Sequence, residues 1–220
     1  MESGPLKDER KRAKEIIEIL QGAYPDAPET YLKWSNPFEL TIATILSANT
    51  TDASVNNVTP ELFEKYPDAE SMREANIDEL KDIIRSVGLY NRKSDYIRES
   101  AKTIVEDFDG EVPSNMKDLT KLKGVSRKTA NVILSTAFDK NEGVVVDTHV
   151  MRVTKRLELT NEKKRGKIEK SLMNLLPQSM WDEYARVIGA HGRQICESRN
   201  PKCSECPINH LCPYPDKDED

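Results

Sequence analysis

Apolar residues in this chain recur three and four positions apart, and that spacing restricts it to packed helices. Ile16, Ile17, Ile19 and Leu20 stripe a helix over about residues 7–21. Asn36-Pro37 is a helix start, a cap residue with proline in the first turn, ahead of Leu40, Ile42, Ile45 and Leu46. Leu80, Ile83, Ile84 and Val87 form a stripe stopped at Gly88. Tyr96, Ile97, Ile104 and Val105 mark a helix ending before Gly110, and Ser114 is expected to cap a short one through Leu122. Val132, Ile133 and Leu134 lie in a helix beginning just past Gly124. Leu172, Leu175 and Leu176 mark another, and Trp181 through Ile188 the last. Val144-Val145-Val146 is the one strand-like run, and three residues between Gly143 and Asp147 make an extended connector rather than a strand.

An all-α chain of 220 residues can build one large core or two smaller ones. No apolar run approaches the ~20 residues that span a bilayer, and the first ten residues hold no apolar stretch of a secretory signal. An intracellular, cytoplasmic protein is therefore expected, in which four cysteines serve as metal ligands rather than disulfides. The tail 216–220 is expected to be disordered. Nothing resembles a Gly/Ser linker, so two domains would pack closely.

A net charge of −5 argues weakly against a nucleic-acid partner, but the charge is unevenly distributed. Residues 61–82 carry eight acidic side chains against three basic ones; residues 121–156 carry eight basic ones against Asp139, Glu142 and Asp147. The basic stretch contains Leu122-Lys123-Gly124-Val125-Ser126-Arg127-Lys128-Thr129-Ala130-Asn131-Val132-Ile133-Leu134, where a short helix ends, a glycine turns the chain, and a second helix begins. Backbone N–H groups at such a start can bind phosphate without reading sequence, and Lys121, Lys123 and Arg127 surround them with charge.

Cys196, Cys203, Cys206 and Cys212, all the cysteines of the chain, fall within seventeen residues. Four thiolates suit zinc or a [4Fe–4S] cluster; zinc sites favour two close pairs, and here only Cys203 and Cys206 are close. His210 lies in the loop, but four cysteines already complete a site.

The Gly124–Leu134 segment resembles the helix–hairpin–helix of the endonuclease III family of DNA glycosylases. The likeness continues through Val146-Asp147-Thr148-His149-Val150-Met151-Arg152-Val153, Ser35-Asn36-Pro37-Phe38-Glu39-Leu40, Leu46-Ser47-Ala48, Gly88-Leu89-Tyr90-Asn91-Arg92-Lys93 and His191-Gly192-Arg193, in order, over roughly Pro37 to Cys212. It implies the helix–hairpin–helix glycosylase fold: a six-helix domain over 28–141, an iron–sulfur domain from 1–27 and 142–220, and an active-site cleft between them. It implies a base-excision-repair DNA glycosylase with abasic-site lyase activity, acting as a monomer on oxidised pyrimidines in duplex DNA at the nucleoid. Lys128 takes the catalytic lysine position and Asp147 the aspartate position, facing each other across the cleft. Cys196, Cys203, Cys206 and Cys212 would hold a [4Fe–4S] cluster.

The resemblance places Gly124, Ser126, Arg127, Thr129, Asn49, Leu89, Asp52, His149 and Arg152 against DNA, and the charges of Lys202, Arg193 and Arg199 suggest that the cysteine loop also touches DNA phosphate. Asp147 reads equally as a helix cap, Asp52 likewise, and Leu89 as a core residue at a helix end. Two departures stand out. Ser126 replaces the second glycine of the family's Gly-Val-Gly, which costs energy if that position needs a positive φ. Asn49 stands where glutamine is common, one methylene shorter. The alternatives are a mismatch glycosylase removing thymine or uracil opposite guanine, and a non-catalytic iron–sulfur DNA-binding module.

Overall fold

The structure, a computed structural model, describes the backbone of residues 5–215 and the side chains of 7–215; the charged tail 216–220 lies outside the described residues. Among them are eleven α-helices and no strand: α1 (Pro5–Ala23), α2 (Pro37–Leu46), α3 (Asp52–Lys65), α4 (Ala69–Arg73), α5 (Ile77–Ile83), α6 (Tyr90–Phe108), α7 (Met116–Leu119), α8 (Arg127–Phe138), α9 (Thr148–Arg156), α10 (Arg165–Leu175) and α11 (Trp181–Gln194). No helix among the described residues is long and apolar enough to cross a membrane.

The chain divides into two compact units, Thr30–Glu142 and the chain up to Glu29 joined with that from Gly143 onward. The first is built around α2, whose Phe38, Leu40, Ile42, Ala43, Ile45 and Leu46 are all buried. A helix apolar on every face must be enclosed, and α3, α6 and α8 pack against it. Its start is set as expected: Asn36 is extended and its side chain accepts the Glu39 N–H at 2.9 Å. The second unit packs α1, α9, α10 and α11 around Ile16, Ile17, Leu20, Val150, Val153, Leu172, Tyr184 and Ile188. Each fully buried aliphatic or aromatic side chain contributes about 1.5–3 kcal/mol.

Two elements differ from the periodicity. α5 ends at Ile83, yet Ile84 and Val87 are buried. They reach the core from a turn, with Val87 N–H donating to Ile84 O, so the stripe records burial and runs past the helix. The cap of α7 is Asn115, which accepts the Asp118 N–H at 2.9 Å, not Ser114. Ser114 is engaged elsewhere: its carbonyl and hydroxyl accept from Lys140 Nζ at 2.6 and 2.7 Å. Residues 144–146 form a connector with Val144 and Val146 buried.

Candidate functional site

The turn between α7 and α8 is fixed by one glycine. Gly124 has φ +85°, and a Cβ there would stand 2.9 Å from Tyr96 Cδ2 and 3.1 Å from Ile45 Cγ2. Both the backbone conformation and the space exclude a side chain. Ser126 has φ −85° and ψ 168°, so serine at the second glycine position carries no backbone strain. It is the N-cap of α8: its Oγ accepts the Thr129 N–H at 3.3 Å and lies 3.0 Å from Thr129 Oγ1. Thr129 is buried by this pairing. Arg127 and Lys128 precede it in the first turn, where helix N–H groups have no acceptors within the helix. Lys128, second residue of α8, is half-buried. Around the turn, Lys121 pairs with Asp118 at 2.7 Å, Lys123 lies 5.9 Å above the Tyr96 ring, and Arg127 Nη2 donates to Glu142 O at 3.2 Å.

Four non-glycine residues of the same unit hold left-handed backbones, Asp109 and Asp139 at helix ends and Asn49 and Leu89 in the loops after α2 and before α6; asparagine adopts that conformation readily and leucine does not. Asn49 (φ 55°) is exposed just past α2, and Leu89 (φ 61°) is 59% exposed at the start of α6. That exposure overturns the core reading of Leu89. Asp52 is not a cap: Thr51 caps α3, accepting the Ser54 N–H at 3.2 Å, and Asp52 is the first helical residue. Beneath these loops lies a residue the sequence did not single out. Lys93 is 2% exposed, and its ammonium donates to Leu46 O and Thr50 Oγ1, both at 2.7 Å. Burial pushes its pKa down to about 8.

In the other unit, Asp147 caps α9 with one carboxylate oxygen, Oδ1 accepting the Val150 N–H at 2.7 Å. The other oxygen meets Arg193 Nη2 at 3.3 Å. Cap and ion pair together fix the carboxylate in the connector–helix corner. Arg193 is thus engaged with Asp147 and with Gly189 O. His149 is half-buried; burial, with Arg193 beside it, holds it below the usual imidazole range. Arg152 donates to Gly192 O at 2.6 Å and to Cys196 O at 3.0 and 3.1 Å, bracing the start of the cysteine loop. Lys202 donates to Gln194 O at 3.3 Å.

The four cysteines are free thiols lining one pocket, walled by Val153, Leu157, Ile195 and Ile208. Burial pushes Cys206 up to about 11, the neighbouring thiols adding to the shift, so four thiolates in these walls require a cationic centre among them. Among the described residues no set of three or more His, Cys, Asp or Glu converges on a single ion. An all-cysteine donor set lining one pocket has the chemistry to hold an iron–sulfur cluster. Arg156 Nη1 lies 3.2 Å from Cys196 Sγ, and His191 Nε2 lies 3.6 Å from Cys206 Sγ. Burial pushes His191 down to about 4, and its Nδ1 shares a hydrogen bond of 2.9 Å with Tyr24 OH. His210 is exposed.

Residues 42–178 match the family model of the HhH-GPD superfamily base excision DNA repair proteins, and residues 196–212 that of the iron–sulfur binding domain of endonuclease III. The endonuclease III of Synechocystis is 45% identical over 208 residues, 94% of each chain. The chain belongs to the endonuclease III family. A solved non-covalent endonuclease III–DNA complex superposes with a TM-score of 0.88 at 39% identity, covering 93% of this chain and 95% of that one. A trapped endonuclease III–DNA covalent intermediate gives the same TM-score and identity, covering 93% and 96%. This endonuclease III family member is a base-excision-repair enzyme, a DNA glycosylase and abasic-site lyase, and its cysteine loop is the binding domain of a [4Fe–4S] cluster.

Proposed function

We propose that the enzyme removes oxidised pyrimidines from duplex DNA inside the cell, at the nucleoid, with Lys128 as nucleophile and Asp147 as the charge-stabilising carboxylate. The observation that carries this reading is the half-buried Lys128 on the capped first turn of α8, directly after the Gly124 turn. A phosphate seated at that helix start brings the adjoining sugar within reach of the second helical residue. The base leaves the stack at a cost of a few kcal/mol. The Lys128 amine then forms a bond to C1′ as the C1′–N bond breaks, and the base departs with the bonding pair. Opening the sugar gives a protonated Schiff base; loss of a C2′ proton expels the 3′ phosphate, and water releases the lysine. Asp147, held in place by Val150 N–H and Arg193, carries the negative charge that offsets cation on the sugar. Asn49 and Leu89 enter the space of the extruded base and of the opposite strand. Cys196, Cys203, Cys206 and Cys212 would hold the cluster, which supplies folding free energy to the loop.

Borohydride reduction should trap a protein–DNA adduct on a lesion-bearing duplex. Lys128→Ala should abolish the adduct while keeping most DNA affinity, whereas Lys121→Ala and Lys123→Ala should still trap. An adduct formed as well by Lys128→Ala would overturn the assignment. A panel of defined lesions fixes the substrate class, and excision confined to thymine or uracil opposite guanine would replace the oxidised-pyrimidine reading.

A further inference from the structure

Lys93 is a buried cation that the chemistry above does not use, and its bonds join two loops. Its backbone N–H donates to Leu89 O at 3.1 Å, in the first turn of α6. Its Nζ donates to Leu46 O, the last residue of α2, and to Thr50 Oγ1, both at 2.7 Å. Asn49 stands between those two acceptors. The side chain thus closes the loop that carries Asn49, and the backbone of the same residue continues the helix that begins at Leu89. The loops also touch directly: a Cβ on Gly88 would stand 3.3 Å from Thr50 Oγ1 and 3.5 Å from Asn49 O.

The two residues so joined share a left-handed backbone, which asparagine adopts readily and leucine does not. Asn49 and Leu89 have φ of 55° and 61°, and both side chains are exposed. Left-handed backbone costs a non-glycine residue about 1–2 kcal/mol and persists only where the surroundings impose it. For Leu89 an exposed apolar side chain adds no burial in return. Lys93 holds the Asn49 loop where Gly88, the residue before Leu89, packs on it, and its charge sits at the carbonyl end of α2, where a cation is favoured.

We infer that Lys93 is a positioning residue that presets Asn49 and Leu89 as a paired wedge, so that both enter the duplex together when the nucleotide is extruded. The inference rests on the reading of Asn49 and Leu89 as DNA-entering residues. A clamp of this kind acts by preorganisation: loops already ordered give up no further conformational freedom on binding. It leaves the phosphate grip at Gly124–Thr129 untouched.

The test is a mutant cycle on binding to a duplex with a tetrahydrofuran abasic-site analogue, on protein checked for iron content and helicity. Lys93→Met should weaken binding about tenfold while the slope of affinity against salt stays unchanged, since the phosphate contacts remain. In an Asn49→Ala/Leu89→Ala background, Lys93→Met should cost less than about twofold, because nothing is left to position. The fluorescence of 2-aminopurine opposite the analogue should rise on binding wild-type protein and rise less with Lys93→Met. Thr50→Val removes one acceptor while keeping the ammonium; it should weaken binding in the same direction and with the same non-additivity, and it decides the matter should Lys93→Met not fold. A full tenfold loss in the double-alanine background, or no loss from either clamp variant, would overturn the clamp. Wild-type affinity in the Asn49→Ala/Leu89→Ala protein would instead overturn the reading of the wedge, and the clamp with it.

Discussion

At the scale of single residues, two ambiguities in the sequence were questions of backbone angle. Ser126 reads as a liability if glycine is needed there, yet its φ of −85° makes it an ordinary cap. Leu89 reads equally as core or as wedge, and its exposure with φ 61° decides for the surface. Residue type and spacing cannot carry that information. Asp147 was legible both as cap and as catalyst because one carboxylate has two oxygens; the Arg193 pairing was invisible, being 46 positions away. Asp147→Asn should keep the cap, since asparagine caps as well as aspartate, and shift the unfolding midpoint little. Base excision should slow more than lyase action on a preformed abasic site, because charge rather than the amine is lost. Asp147→Ala should cost about 1 kcal/mol more in denaturant unfolding than Asp147→Asn. Lys93 gives a pH signature. Its pKa is about 8 in the folded chain and near 10.5 when unfolded. Between those values the unfolded chain binds the proton and the native chain does not, so this group's contribution to stability rises with pH across that window and is flat below it. Tyr24 and Tyr66, pushed up to about 12, act oppositely above pH ~10. The difference in unfolding free energy between wild type and Lys93→Met should therefore shift in favour of wild type from pH 8 to 10. A difference that stays constant over this range would contradict a buried, depressed amine.

At the scale of elements, the helices announced themselves by their stripes and their ends did not. Ile84 and Val87 continue the α5 pattern although the helix has stopped, because a turn can bury the same positions. Asn115 and Ser114 are equally good caps, and only the Lys140 contact with Ser114 distinguishes them. The hairpin was the most legible element, because Gly124 has no substitute. Gly124→Ala would impose about 1–2 kcal/mol of backbone cost and drive Cβ into the Tyr96 ring, where overpacking adds typically 1–3 kcal/mol. Urea unfolding should register the sum, and affinity for undamaged duplex should fall with it because the amides of α8 lose their aim. Unchanged stability would mean that the turn can relax around a methyl group.

At the scale of the whole molecule, the basic excess of residues 121–156 overstates the free charge of that stretch. Lys121 pairs with Asp118, Lys140 holds Ser114, and Arg152 and Arg156 are committed to the cysteine loop. What these arginines support is the cysteine loop. Cys196, Cys206, Leu211 and Cys212 pack against the core that contains Ile16, Val153, Tyr184 and Ile188, whereas the core around α2 contains no cysteine. Removing iron leaves four thiols in an apolar pocket with one guanidinium, Arg156, beside Cys196, and the Arg152, Arg156 and His191 bonds lose the loop they brace. The cost should therefore fall on one unit. Hydrogen exchange of cluster-depleted protein should show lost protection in α9 and α11 and across residues 196–212, with α2 and α8 protected as in the holoprotein. Uniform loss throughout both cores would mean that the cluster stabilises the molecule as one cooperative body, and uniform retention that it contributes no folding free energy.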